Sequence, residues 1–295
     1  MEGFVLEPTD PRPHDAPMGE LGLHGVELAG PRWCAFRLPA TAIEFHFPRG
    51  DVKLLSGGLQ PFEPLAWVSD IRATAIARAI EGSGFLLTLR VPAETALLVF
   101  GEYPATHLPN NGRAGGQAGA WIRATHHQLC EADGIEPSLE IVRRAWAELA
   151  MRAPKEVGRI SKALVAMRSG AAVRVGRLVE DSGLSHRHFI AEFRRLLGVC
   201  PKTFARILRF EVVLERLSRN TPIHWATLAL EAGYSDQSHL VNECRRLTGT
   251  TPRDLALRYH SPTRTLEPPL SSAGRPLASE AIARNLVSAA HGATS

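Results

Sequence analysis

From Val175 to Leu255 apolar residues recur every three or four positions, and this period predicts a run of helices. At about 100° per residue, Phe189, Phe193 and Leu196 fall on one stripe, with Arg187, Ala191 and Arg194 on the opposite one. Further along, Leu240, Cys244 and Leu247 form a second apolar stripe, opposed by Ser238, Asn242 and Arg245. Between the two, Lys202 to Arg219 reads as one long helix, entered at Pro201, with apolar residues at Ile207, Phe210, Leu214 and Leu217. Its other sides carry Arg206, Arg209, Arg216 and Arg219.

Ahead of this region the pattern is shorter and closer to alternation. Ala42 to Phe47, Val52 to Leu55, Phe85 to Val91 and Ala96 to Phe100 read as strands between Gly and Pro breaks, and Ile71 to Ile80 fits strand or helix. Ile43, Phe45 and Phe47 alternate as a half-buried strand requires, which makes His46, on the other face, a surface or satisfied core residue rather than a catalytic one. Helical periodicity resumes over Ser138 to Arg152 and Lys155 to Ser169. The fold class expected is α+β, a mainly β N-terminal domain followed by an all-α C-terminal domain with two helix-turn-helix units. The expected divisions are a flexible N-terminus over 1–24, the β domain over 25–135, a helical linker over 136–156, the helical domain over 157–260 and a flexible tail over 261–295, in which Ala278 to Ala289 forms a short helix.

The helical part is an internal repeat. LVEDSGLSHRHFIAEFRRLLGVCPKTF from Leu178 matches LALEAGYSDQSHLVNECRRLTGTTPRDL from Leu228. Gly183 corresponds to Gly233, while Phe189, Arg194, Arg195, Leu196, Gly198 and Pro201 correspond to Leu240, Arg245, Arg246, Leu247, Gly249 and Pro252, one residue further on. Each copy reads as helix, tight turn, helix. Val175 to Ser182 ends at Gly183, which supplies a left-handed conformation, and Ser185 caps the next helix; Trp225 to Ala232 ends at Gly233, with Ser235 or Asp236 as the cap. A three- or four-residue turn containing Gly between two helices is the signature of a DNA-reading helix-turn-helix. A connecting helix of about 18 residues is about 27 Å long, enough to hold two reading helices in successive major grooves about 34 Å apart.

Charge supports this reading. The chain carries a net +4, but residues 155–260 hold 18 Lys and Arg against 10 Asp and Glu, a net +8 that leaves the remainder at −4. The basic segment attracts polyanions, although solvated helix faces are also often basic. Cys34, Cys130, Cys200 and Cys244 are far apart and form no Cys-x-x-Cys pair, so neither a disulfide framework nor a zinc ribbon is expected. His186, His188 and His239 have no further ligand at metal spacing, and the group His126, His127 and Cys130 lacks a third and fourth partner. No Walker loop, nucleophile elbow or His-Glu-x-x-His occurs, and the Gly-rich stretch Asn110 to Gly119 reads as a loop, so the chain is expected not to be an enzyme and to need no cofactor. No uninterrupted apolar run of about 18 residues and no signal peptide is indicated, so a cytoplasmic protein off the membrane is expected.

At GLSHRHFIAEFRRLLGVCPKTFARILRF, Gly183 to Phe210, and GYSDQSHLVNECRRLTGTTPRDL, Gly233 to Leu255, the sequence resembles the AraC/XylS family of transcription regulators. The resemblance implies a seven-helix DNA-binding domain joined to a variable effector or oligomerisation domain. It implies base contacts from Arg187, Ile190 and Ala191 in the first unit, with Arg194 near the backbone; the cap Ser185 and His186, at the helix start, are also expected at the DNA surface, histidines there meeting phosphate or solvent. In the second unit it implies Gln237, Ser238, Val241 and Asn242, with Arg245 near phosphate. Many relatives carry a base-reading Arg where this chain has Ala191 and Asn242; Ala suits a thymine methyl and Asn an adenine. Cys244 stands where an aromatic core residue is usual, which lowers the buried volume of the second unit. The partners implied are double-stranded DNA and RNA polymerase, with a small-molecule effector or a second copy of the chain acting through the N-terminal half. The competing reading is an effector-binding or protein-interaction module with degraded DNA specificity; a Cys-based methyl acceptor is third, and the scattered cysteines speak against it.

Overall fold

The computed structural model describes residues 3–5, 22–28, 32–55, 61–62, 66–101, 116–153, 158–169, 174–219 and 221–259. The tail expected over 261–295, with its helix from Ala278 to Ala289, lies outside these residues, as does most of the segment over 1–24 expected to be flexible, of which Gly3–Val5 and the start of Gly22–Leu28 are strand. The N-terminal part contains β1 (Gly3–Val5), β2 (Gly22–Leu28), β3 (Arg32–Arg37), β4 (Ala42–Gly50), β5 (Lys53–Leu55), β6 (Pro61–Phe62), β7 (Trp67–Ser69), β8 (Ile76–Glu81) and β9 (Gly84–Pro92). They form two sheets, of order β1-β3-β8-β5-β6 and β2-β9-β4-β7. Only the β1–β3 pair among these is parallel. The chain then continues as α1 (Ala93–Phe100), α2 (Gly116–Leu129) and α3 (Ile135–Met151). The C-terminal part is helical throughout its described residues: α4 (Arg159–Ser169), α5 (Val175–Ser182), α6 (His186–Leu197), α7 (Pro201–Ser218), α8 (Trp225–Glu231), α9 (Gln237–Thr248) and α10 (Pro252–Tyr259). Sheet followed by helix in one chain gives the α+β class expected from the periodicity.

Both faces of β4 are buried, so its alternation separates two kinds of interior rather than inside from outside. Ile43, Phe45 and Phe47 face the helices, where Trp121 on α2 collects Phe45, Phe47, Phe100 and Trp146 at centroid distances of 5.2 to 6.1 Å. Such edge-on aromatic pairs each add about 0.5–1.5 kcal/mol beyond the area they bury. The indole nitrogen donates to the Ala145 carbonyl at 3.1 Å, which ties α2 to α3. On the opposite face, Glu44 registers with Arg90 and His46 with Thr88. His46 is fully buried, bonded to Thr88 Oγ1 and Ser69 Oγ at 3.0 Å each and stacked on Trp67, so it is a satisfied core residue.

Two sequence expectations are corrected and one left open is resolved. Ala96 to Phe100, read as a strand, is the second half of α1, in which Ala93, Ala96, Leu97, Val99 and Phe100 are all buried. A short apolar run buried all round has no period to distinguish strand from helix; Glu94 in the first turn and the left-handed Gly101 at the end decide for helix. The ambiguous Ile71 to Ile80 divides: its second half enters β8, while Arg72 makes an isolated antiparallel bridge with Ala40. The Gly-rich loop is shorter than expected, because Gly116 to Gly119 already belongs to α2; residues 110–115 lie outside those described.

The aromatic core of the N-terminal domain does not stop at its boundary. One continuous apolar cluster runs from Phe45 and Trp121 through Ile160, Leu164 and Met167 of α4 to Phe189, Phe193, Phe204 and Ile207. A second cluster, built on Phe210, Val213, Leu214, Leu240 and Leu247, includes Leu38 and Ala75 from the N-terminal domain. The helical domain therefore rests on the sheet domain through both of its halves.

Candidate nucleic-acid interface

The two repeat copies fold as two helix-turn-helix units, α5–α6 and α8–α9, joined by the 18-residue α7. In the first, Gly183 has φ 66°, the left-handed value expected of it, and Ser185 Oγ accepts from the His188 amide. In the second, Gly233 has φ 78°, and Asp236, not Ser235, is the cap, its Oδ1 accepting from the His239 amide at 2.8 Å. That backbone bond, with the Ser235 hydroxyl, holds the Asp236 carboxyl below the usual carboxylate range.

The reading helices present the faces the periodicity assigned. On α6, Ser185, His186, Arg187, Ala191 and Arg194 are exposed and Ile190 half-buried, while Phe189 and Phe193 are buried. The third member of the buried stripe is Leu197 rather than Leu196, which is only half-buried. On α9, Gln237, Ser238, Asn242 and Arg245 are exposed and Val241 half-buried, over buried Leu240, Cys244 and Leu247. Among the described residues, neither Arg187 nor Arg245 has a carboxylate within ion-pair distance. Both α6 and α9 begin on this side with amides whose partial positive charge suits an anion. His188 and His239 are engaged locally, by Ser185 Oγ and Ser235 Oγ at 3.1 Å each.

The units are secured to α7 by different means. Phe193 meets Phe189 in a tilted pair and Phe204 edge-on, at 5.9 and 5.8 Å, so α6 is held by packed aromatic volume. At the equivalent place α9 has Cys244, fully buried beside Thr248 Oγ1, its thiol pushed up to about 12 by burial. Charges make up the difference: Arg206 Nε of α7 donates to Glu243 Oε2 of α9 at 2.7 Å, with both side chains mostly buried. Arg209 lies over the Tyr234 ring at 5.8 Å, and that ring meets His239 edge-on at 5.3 Å. Sequence reasoning treated Arg206 and Arg209 as part of the outer side of α7 and assigned nothing to Glu243. A Glu flanked by Asn242 and Cys244, one step off the presented face, is the signal that points inward.

Cys200, at the start of α7, has a thiol that burial would raise, but bonds from Thr203 and Arg194 bring it below its ordinary value. Cys130 is exposed, with Sγ 3.8 Å from His126 Nδ1. Burial lowers the His126 pKa, helped by the charges of Arg49 and His127. Among the described residues, no three His, Cys, Asp or Glu side chains come together as a metal site, and no helix is long and apolar enough to cross a membrane.

Residues 178–258 match a family model described as a helix-turn-helix domain, of the AraC type. No curated protein matches the chain. Among solved structures, apo ToxT from Vibrio cholerae is similar at 7% identity and a TM-score of 0.45, over 82% of this chain and 98% of that one. A second ToxT structure gives 9%, 0.43, 82% and 99%, and one with a bound unsaturated fatty acid gives 7%, 0.42, 83% and 98%. The matched segment coincides with the paired units α5–α6 and α8–α9 on their common α7, so residues 178–258 form an AraC-type helix-turn-helix domain and the chain is a DNA-binding transcription regulator.

Proposed function

We propose that this regulator reads two short blocks of duplex DNA in successive major grooves, one with α6 and one with α9. The observation that carries the reading is the correspondence of two exposed faces on α6 and α9, which α7 joins, Arg187, Ala191 and Arg194 with Ser238, Asn242 and Arg245, each backed by a buried stripe. In this reading Arg187, Ile190 and Ala191 face the bases of one block, and Gln237, Ser238, Val241 and Asn242 those of the other. Ser185, His186, Arg194 and Arg245 stand toward phosphates, which position the protein without specifying sequence. Asn242 suits an adenine and Ala191 a thymine methyl, which distinguishes the expected operator from one rich in guanine contacts. The N-terminal domain modulates the reading, as the seat of an effector or of a second copy of the chain. The site of action is cytoplasmic DNA beside a promoter, with RNA polymerase as the downstream partner.

The test is competition between cognate and scrambled duplexes for the full-length protein, the cognate sites first isolated from genomic fragments. Arg187→Ala and Asn242→Ala are each expected to lower discrimination by an amount equivalent to about 1–3 kcal/mol, while Arg245→Ala weakens binding to all sequences and flattens the salt dependence. Unchanged discrimination in both of the first two variants, or a binding constant that barely responds to salt, would sink the assignment.

A further inference from the structure

DNA reading gives no role to a buried cluster of four charges at the junction of the two domains. Glu211 lies on α7 between Phe210 and the buried Val213 and Leu214, only 4% exposed. Its Oε1 accepts from the Thr41 amide at 2.8 Å and from Arg90 Nη2 at 3.2 Å; its Oε2 accepts from Thr41 Oγ1 at 2.8 Å, with Arg168 Nη1 at 3.5 Å. Arg168, at the end of α4, also grips both carboxylate oxygens of Glu94 on α1 and donates to Thr41 Oγ1 at 3.1 Å. Two guanidinium groups thus face two carboxylates, and the cluster is neutral. Burial would lower the Arg168 pKa, but the bond to Glu94 and the charge of Glu211 outweigh it and hold it above its ordinary value.

A carboxylate placed among apolar side chains loses its hydration, and an apolar residue of similar size there would have no such cost, so stability alone does not account for Glu211. What a fully partnered buried charge supplies is a fixed geometry. The surroundings indicate which geometry is fixed. Residues 38–41 and 70–75 are joined by the Ala40–Arg72 bridge, and Arg72 is pinned by Glu44 Oε1 and Oε2 at 3.1 and 3.0 Å and by the Leu38 carbonyl at 3.0 Å. Leu38 and Ala75 enter the core of the second reading unit, and the Ala75 amide donates to the Leu247 carbonyl at the end of α9 at 2.8 Å. Arg90 is on β9, the strand that pairs with both β2 and β4, so a displacement of that sheet reaches Glu211 through one side chain.

We infer that Glu211 is a positioning residue through which the N-terminal domain sets the disposition of the two reading helices. Residues 38–41 and 70–75 act as a strut behind α7 and α9, and the neutral four-charge cluster is its fixed point. The consequence for DNA rests on the reading proposed above; the clasp itself does not.

The experiment uses the full-length chain and two readouts. Amide hydrogen exchange without DNA follows residues 38–41 and 70–75, and binding to duplexes whose two blocks are moved apart by one base pair follows spacing. In Glu211→Gln, exchange in both segments is expected to rise while α6 is unchanged, and the affinity ratio between the two spacings to fall toward one. Arg90→Gln combined with Glu211→Gln leaves Glu94 and Arg168 as a closed pair with no surplus charge, and is expected to restore protection. Glu211→Asp, still charged but one methylene shorter, is expected to fall between wild type and Glu211→Gln in both readouts. Unchanged exchange in Glu211→Gln overturns the clasp, and raised exchange with an unchanged spacing ratio overturns the positioning role. A wild-type protein indifferent to spacing overturns the reading of paired blocks and this consequence of it, and the exchange result tells that failure apart from failure of the clasp.

Discussion

The two helix-turn-helix units share one repeated pattern and differ in how the second helix of each is attached. The first relies on aromatic volume, with Phe189, Phe193 and Phe204 in contact. The second, with Cys244 where Phe193 would correspond, is tied by Arg206 to Glu243 and by Arg209 over Tyr234. It also keeps a Tyr234 hydroxyl that is buried without a hydrogen-bond partner among the described residues, and burial pushes its pKa up. Dispersion and desolvation are insensitive to salt and pH, whereas charge pairs and carboxylate caps are not. The same backbone geometry is therefore expected to respond differently to solution conditions at its two ends.

The most severe way to break the comparison is to remove the aromatic anchor. Phe193→Ala is expected to cost about 3–5 kcal/mol, against about 1 kcal/mol for Cys244→Ala, where far less volume is lost; equal shifts of the denaturant midpoint in the two variants would show that volume does not distinguish the units. Next comes the ion pair. Glu243→Ala leaves a mostly buried guanidinium without its carboxylate and is expected to cost about 1–3 kcal/mol, with amide exchange rising in α9 and not in α6. Ser185→Ala, which removes the α6 cap, is expected to cost about 1 kcal/mol, read as a lowered midpoint in urea.

The smallest effect sharpens the contrast through pH. The Asp236 carboxyl is held below its unfolded value by its bond to the His239 amide, so its contribution is fully present above the unfolded pKa and is lost as the pH falls through the folded one. The Ser185 cap has no such titration. Exchange measured down an acid series should therefore show the start of α9 loosening before the start of α6, and simultaneous loosening would remove Asp236 from the explanation.

Much of this was legible in the sequence because the helical domain is written with a strict period and repeated once. Gly183, Gly233, the Ser185 cap and the exposure of Arg187, Ala191, Ser238 and Asn242 all follow from spacing, whereas the choice between Ser235 and Asp236 as the second cap does not. Where the period failed, the reading failed: α1 is buried on nearly every side and offers no polar face from which to judge its geometry. The junction between domains was hidden for another reason. Glu211 stands four residues after Ile207 and three before Leu214, squarely on the apolar stripe of α7. That placement marks it as anomalous, but its partners Thr41 and Arg90 are 170 and 121 residues away, and periodicity carries no information at that range.

The uninterrupted core from Phe45 to Phe204 bears on how such a chain can be recombined. A graft that attached α4 to α10 to a foreign sensor would leave Ile160 and Leu164 facing an unrelated surface, and would separate Arg168 and Glu211 from Thr41, Arg90 and Glu94. The smallest transferable module is therefore larger than the DNA-reading segment: it includes Thr41 and the stretch of β9 and α1 that meets it. A functional chimera is expected only where the donor brings its own counterpart of those contacts.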